Sequence, residues 1–365
     1  MSVALVHDWL TGMRGGEKVL EHLCALYPRA PIHTLFHFPG SVSRAIESHP
    51  IHTSFLNRAP GIERHYRRYL PLFPIAIEEF DFQGFDLILS SSHCVAKGVI
   101  APPGTFHVCY CHTPMRYAWD QEHAYFPRRT GLAAHLRSLT LSALRTWDAA
   151  SASRVDRFVA NSSFVAERIR RYYGRDAEVA HPPVDVDFFT PGEAGPAEAH
   201  AGYGLMVSAL APYKRLELGI AACERAGLPL YIVGEGPEHA RLAALAGPKT
   251  HLLGRVSAER LRDLYRGALC LLQPGIEDFG IACVEALACG TPVAAVARGG
   301  VLDIVDDGVH GALYPEDAGV DGLVTAIDKT RQIRSNQPVL RQRAERFSAQ
   351  RFVERLSSLV TRKPS

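Results

Sequence analysis

The chain has 365 residues, more than the roughly 250–300 at which a single core stops growing, so two domains are expected. Its 40 basic and 38 acidic residues nearly cancel, which excludes a whole-molecule field that would draw in nucleic acid and leaves any basic patch local. No run approaches the roughly 20 apolar residues that span a bilayer, and the opening "MSVALVHDWLTG" has no basic segment ahead of its short apolar run, so it reads as a first strand with the cytoplasm as the expected compartment.

Short apolar runs alternate with longer periodic stretches, the pattern of strand and crossover helix in a parallel sheet. In the first half "SVALVHD", "FDLILSSS", "FHVCYCHTP" and "RFVANS" read as buried strands. In the second half "GLMVSAL", "LPLYIVGEG", "HLLGRV", "LCLLQPG" and "TPVAAVA" repeat the rhythm. Between them, residues 180–204 are rich in proline, glycine and small polar residues and read as a linker. The expectation is an α/β fold of two doubly wound parallel-sheet domains, 1–182 and 183–345, facing across a cleft at their strand ends. Residues 346–365 form an amphipathic segment expected to pack back on the first domain.

After the first strand, "HDWLTGMRGGEKVL" carries Gly15 and Gly16 ahead of an amphipathic helix, where backbone N–H groups could approach a pyrophosphate; a plain turn is the other reading. "SSSHCVAKGV" places Lys97 at a strand end, either near an acceptor or phosphate or on the surface. "VCYCHTPMRYAWDQEHAYF" gathers His112, Arg116, Tyr117, Trp119 and Asp120 at another strand end, where they would line a crevice wall. Its Cys109 and Cys111 lack the second ligand pair a zinc site requires, and the remaining cysteines lie in apolar segments as small hydrophobes. "PVDVDFF" contains D-x-D, but in the linker after two prolines, so it reads as structural; no metal is expected. "ERHYRRYL" and "FPRRTGLAAHLRSLTLSALR" concentrate arginine among apolar residues, and read either as solvated helical faces or as a peripheral contact with anionic lipid headgroups.

In the second half, "VSALAPYKRLELGI" sets Lys214 and Arg215 where a helix begins. Cations there oppose the helix dipole, a cost that a bound pyrophosphate would reverse. "IVGEGPEH" has His239 where the third glycine of a dinucleotide fingerprint belongs, which disfavours an oxidoreductase. In "GIEDFGIACVEALACGTPV", Glu277 lies in a loop and Glu285 about one and a half turns into the following helix, whose first N–H groups at Phe279, Gly280 and Ile281 can donate to hydroxyls or phosphate. Spacing alone would favour a solvated acidic loop and one exposed helical glutamate.

The whole string, however, resembles the E-x7-E segment of family-four retaining glycosyltransferases, which have the GT-B architecture. That resemblance implies that Glu277 contacts the hydroxyls of a transferred sugar, that Glu285 holds the ribose of a nucleotide, and that Phe279, Gly280 and Ile281 supply backbone donors. It implies an active-site role for His112, a phosphate role for Lys214 with Arg215 beside it, and base contacts through Gly254, Arg255 and Val256. The chain departs from the family pattern at Ala209, where many members carry an arginine. The opening loop looks like the mannosyltransferase branch that builds surface polysaccharides. The implied reaction moves a hexose, with GDP-mannose the expected donor and UDP-sugars open, to a saccharide or lipid-linked saccharide, without cofactor or metal and without nucleic acid. A nucleotide-sugar-binding protein lacking transfer activity is the alternative.

Overall fold

The computed structural model describes residues 1–120, 131–192, 202–333 and 336–361. Two compact units emerge: Met1–His181 together with Phe352–Ser365, and Pro182–Arg351.

The first unit is built on a seven-stranded sheet: β1 (Val3–His7), β2 (Ile32–Thr34), β3 (Ile51–Thr53), β4 (Leu87–Ser92), β5 (Phe106–Cys111), β6 (Arg157–Ala160) and β7 (Ala177–Val179). The order is β3-β2-β1-β4-β5-β6-β7, with every pairing parallel. β1, β4 and β5 are buried along their whole length, as expected of strands covered on both faces. The order reverses between β1 and β4, so the loops after these two strands flank the position where open α/β sheets bind ligands. The C-terminal helix Ala349–Val360 buries Phe352, Leu356, Leu359 and Val360 in a core that also holds Leu5, Leu20 and Tyr110, and Phe352 meets the Tyr110 ring edge-on at 5.6 Å.

The second unit carries β8 (Tyr203–Val207), β9 (Leu230–Val233), β10 (Thr250–Gly254), β11 (Ala268–Gln273), β12 (Val293–Val296) and β13 (Gly311–Tyr314) in the order β10-β9-β8-β11-β12-β13, again all parallel. Here the reversal falls between β8 and β11. The helix that follows β11, Ile281–Ala288, is unusually apolar and buries Cys283, Val284, Ala286 and Leu287, because it is covered by its sheet and by the helix Gln337–Glu345. Both units are Rossmann-like, and the architecture is that of the GT-B fold.

Of the expected linker, residues 193–201 lie outside the described residues, as do 121–130 with the first arginines of "FPRRTGLAAH". Asp185, the first acid of D-x-D, accepts the backbone N–H of Phe188 at 2.9 Å and so closes a turn. Cys109 and Cys111 are buried within β5.

Candidate functional site

In the second unit the loops after β8 and β11 enclose a pocket whose wall includes Ser208, Lys214, Gln273 and Glu277. Lys214 ends a single 3-10 turn, Pro212–Lys214, and Arg215 behind it takes a left-handed backbone conformation, φ 51°, before the helix Leu216–Arg225 starts. Arg215 is the one non-glycine residue at positive φ among the described residues, a strained geometry of the kind found where a site fixes the chain. The Lys214 ammonium meets the Glu277 carboxylate, and the two form an ion pair with side chains 12% and 19% exposed. The ammonium also lies 4.9 Å from the Tyr213 ring centre. The predicted phosphate ligand and the predicted sugar ligand are therefore already in contact, each neutralising the other.

Two close backbone approaches hold this arrangement. A Cβ at Gly275 would lie 2.6 Å from the Lys214 carbonyl oxygen, and one at Gly300 would lie 2.3 Å from the Asp278 carbonyl oxygen. The Gly300 N–H also donates to the Glu277 carbonyl at 2.9 Å, so the "RGG" turn after β12 braces the Glu277 loop from behind. Sequence reasoning missed this brace; the paired glycines Gly299 and Gly300 after an apolar strand were its only signal.

Glu285 fares differently from Glu277. It is 5% exposed, does not line the pocket, and accepts a hydrogen bond from the buried Tyr265 hydroxyl at 2.8 Å. In this structure Glu285 is a buried acceptor, bonded to the helix Ala258–Gly267 through Tyr265. Phe279 is likewise buried against Phe347, while Gly280 caps the helix at φ 106° and Ile281 opens it. Gly254 accepts from the Gly234 N–H at 2.8 Å, and Arg255 is exposed within 4.0 Å of Glu235; with half-buried Val256 they follow β10, two strands away from the β8–β11 reversal.

In the first unit the loops after β1, β4 and β5 bring together a cluster that the sequence reading only partly found. His112 Nε2 lies 2.8 Å from the Ser91 hydroxyl, which lies 3.1 Å from His7 Nδ1. His7 Nε2 in turn faces Glu17 at 3.8 Å. Burial, then the neighbouring His93 and His7 charges, push His112 down to about 3, so its ring is neutral at physiological pH. Beside it Asp8 accepts the backbone N–H groups of His93, Cys94, Val95 and Ala96 and meets His93 Nδ1 at 2.9 Å. Burial alone would raise the Asp8 carboxyl, but the charge and hydrogen bonds of His93 hold it well below the usual carboxylate range. Asp8, Ser91 and His93 stand at the sheet's reversal point, a position no motif marked.

Gly15 and Gly16 begin the helix Gly15–Leu26, but the pyrophosphate expectation meets an obstacle. Glu17 folds back to accept the Arg14 N–H at 3.0 Å and is 3% exposed, so a carboxylate already occupies that helix start. Burial would raise Glu17, yet the facing His7 keeps it lowered, hence ionised. What Gly16 provides is proximity: a Cβ there would stand 3.4 Å from His7 and 3.7 Å from His112.

Lys97 departs from its expectation, and its predicted acceptor neighbours have partners within the protein. Lys97 is 1% exposed and donates to the Asp148 carbonyl at 2.7 Å and the Ser151 hydroxyl at 2.6 Å, with the Asp148 carboxylate 2.9 Å away; it is a buried structural cation, not an acceptor contact. Trp119 donates to Asp148 at 2.7 Å and stacks on Tyr172 at 4.7 Å, so one face is taken by protein. Asp120 is bound by Arg168 at 2.9 Å. Tyr117 contacts Cys94 Sγ through its hydroxyl at 2.5 Å, and half-buried Arg116 acts electrostatically on His93.

Comparison with known proteins adds to this geometry. Residues 13–188 match the family model for Glycosyltransferase Family 4 and residues 199–347 the model for Glycosyl transferases group 1. A D-inositol 3-phosphate glycosyltransferase of Mycobacterium sp. (strain KMS) is 35% identical over 179 residues, covering 43% of this chain and 41% of that protein. The one of Geodermatophilus obscurus is 32% identical over 240 residues, covering 57% and 53%. The match thus spans about half the length, or less, of these curated relatives. Among solved structures, Anabaena HepE in complex with UDP has a TM-score of 0.71 at 19% identity over 99% of this chain and 100% of its own. Sucrose-phosphate synthase from Thermosynechococcus elongatus has a TM-score of 0.76 at 18% identity over 98% of each.

Proposed function

We infer that this chain, a glycosyltransferase of the family-4, GT-B type by its two family matches and its fold, transfers a hexose from a nucleotide-diphosphate sugar to a hydroxyl of a saccharide or lipid-linked saccharide. The observation that carries the reading is the Lys214–Glu277 pair in a pocket at the β8–β11 reversal. A carboxylate accepts sugar hydroxyls through charge-assisted bonds, and an ammonium stabilises negative charge developing on a leaving diphosphate. Donor binding exchanges the internal ion pair for these two contacts, so little charge is left uncompensated in either state.

Transfer is with retention, by same-face displacement. The donor diphosphate acts as base in this scheme, since the second-unit pocket offers one carboxylate and it is committed to the sugar and to Lys214. His112 contributes as a neutral hydrogen-bonding imidazole to sugar or acceptor, because its ring does not hold a proton at physiological pH. The GDP-mannose donor rests on the resemblance of the opening loop; a UDP-hexose is favoured by HepE, which was solved with UDP-glucose.

A thermal-shift panel of GDP-, UDP- and dTDP-sugars tests the reading. The cognate donor at 100 times its dissociation constant adds ~2.7 kcal/mol of stability. No shift from any of them sinks the proposal, and a shift without nucleoside diphosphate release in the presence of saccharide acceptors supports instead a binding protein, the alternative that Ala209 favours.

A further inference from the structure

β11 reads "ALCLLQ", five apolar residues and then an amide. Gln273 is 8% exposed at the end of this central strand and lines the same pocket as Lys214 and Glu277. Its Oε1 accepts from the Cys283 thiol at 2.9 Å. Burial pushes that thiol far up, so sulfur keeps the proton that it donates to the amide oxygen. The other end, Nε2, is buried with no hydrogen-bond partner. Gly280 leaves the amide its room: a Cβ there would lie 3.0 Å from Oε1 and 3.4 Å from Nε2. An N–H pair kept dry and unbonded costs stability that a methionine of similar size would not.

We propose that Gln273 is a donor-recognition residue, its Nε2 giving a hydrogen bond to an acceptor oxygen of the diphosphate–sugar portion of the ligand. The inference rests on the reading of this pocket as the donor site. The unliganded protein carries the unsatisfied amide, and the ligand satisfies it, so the same atom is a stability cost before binding and a source of selectivity after it. Cys283 is a positioning residue, holding the amide in the orientation that presents nitrogen.

The test is Gln273→Met in the full chain, with thermal unfolding of the unliganded protein and titrations of UDP, GDP, UDP-glucose and GDP-mannose. The expected result is an unfolding midpoint equal to wild type or raised by about 2–4 °C. It is joined by a dissociation constant about 10-fold weaker for whichever nucleotide sugar the wild type binds. Equal weakening for nucleoside diphosphate and nucleotide sugar places the accepting oxygen on the diphosphate; weakening confined to the nucleotide sugar places it on the hexose. A lowered midpoint with unchanged affinity overturns the inference, since the amide would then serve the fold alone. If the methionine variant does not fold, Gln273→Asn, which keeps an amide but withdraws it by one carbon, must weaken the same titration; unchanged affinity there is equally fatal. A wild type that binds none of the four probes defeats the pocket assignment itself, and with it this inference, whereas wild-type binding that Gln273→Met leaves intact defeats only the role of Gln273.

Discussion

Breaking the Lys214–Glu277 pair has consequences of opposite sign for ligand binding. The two side chains are 12% and 19% exposed, between a surface pair and a buried one. Surface pairs contribute about 0–1 kcal/mol, while removing one partner of a buried pair costs about 3–5 kcal/mol. Each single substitution, Lys214→Ala or Glu277→Gln, should therefore destabilise the unliganded protein by about 1–3 kcal/mol. The double variant should cost less than the sum, with a coupling of about 1–2 kcal/mol. Denaturant unfolding of the four proteins measures it. Binding separates the partners. Lys214→Ala should weaken a nucleoside diphosphate at least 10-fold, because the phosphate loses its cation. Glu277→Gln should leave that affinity unchanged or tighten it, because the ammonium is released from its internal anion, while transfer of the sugar collapses. Additive single effects, or parallel losses of nucleoside diphosphate affinity in both variants, would refute the exchange of partners argued here.

Other consequences can be checked separately. Lys97→Ala should cost about 3–5 kcal/mol by leaving the buried Asp148 unpaired, and should appear as lost soluble yield or a lowered unfolding midpoint; a stable variant with impaired acceptor use would restore the acceptor role. Gly300→Ala forces the Asp278–Phe279 backbone to move, so both stability and nucleotide-sugar affinity should fall, read by thermal unfolding and titration; loss of neither would show that the turn does not brace Glu277. The first unit should weaken in mild acid. His33 and His107, pushed down to about 4 by burial, and His112, pushed down to about 3, stay neutral when folded but protonate near 6.5 when unfolded. Each favours the unfolded chain as pH falls below 6.5, by about 2 kcal/mol at pH 5, and the raised His93 offsets part of this. Stability constant from pH 7 to pH 5 would contradict the burial of these rings as neutral species.

Much of the architecture was legible because its signal is local. Buried parallel strands are short apolar runs, and β4, β5, β11 and β12 announce themselves in that way. The Glu277 loop was legible because an acidic residue and a helix-starting glycine interrupt such a pattern. The side-chain partners were not legible, since they depend on which distant segment a folded strand meets. Lys97 looked like a strand-end cation because nothing nearby in sequence is acidic; its anion, Asp148, lies 51 positions away in the chain. Glu285 read as exposed from its helix position, yet that helix is covered on several sides and its carboxylate meets Tyr265. Asp8, Ser91 and His93 belong to no motif, and only the parallel pairing of β1 with β4 sets them side by side.

The account turns on the claim that the pocket at the β8–β11 reversal holds a nucleotide-diphosphate sugar through Lys214 for chemistry. The most direct measurement is nucleoside diphosphate release from UDP-, GDP- and dTDP-sugars with saccharide acceptors, wild type beside Lys214→Ala. Release from one donor class, lowered at least 100-fold in a folded Lys214→Ala protein, is the predicted result; release that the substitution leaves near normal would contradict it.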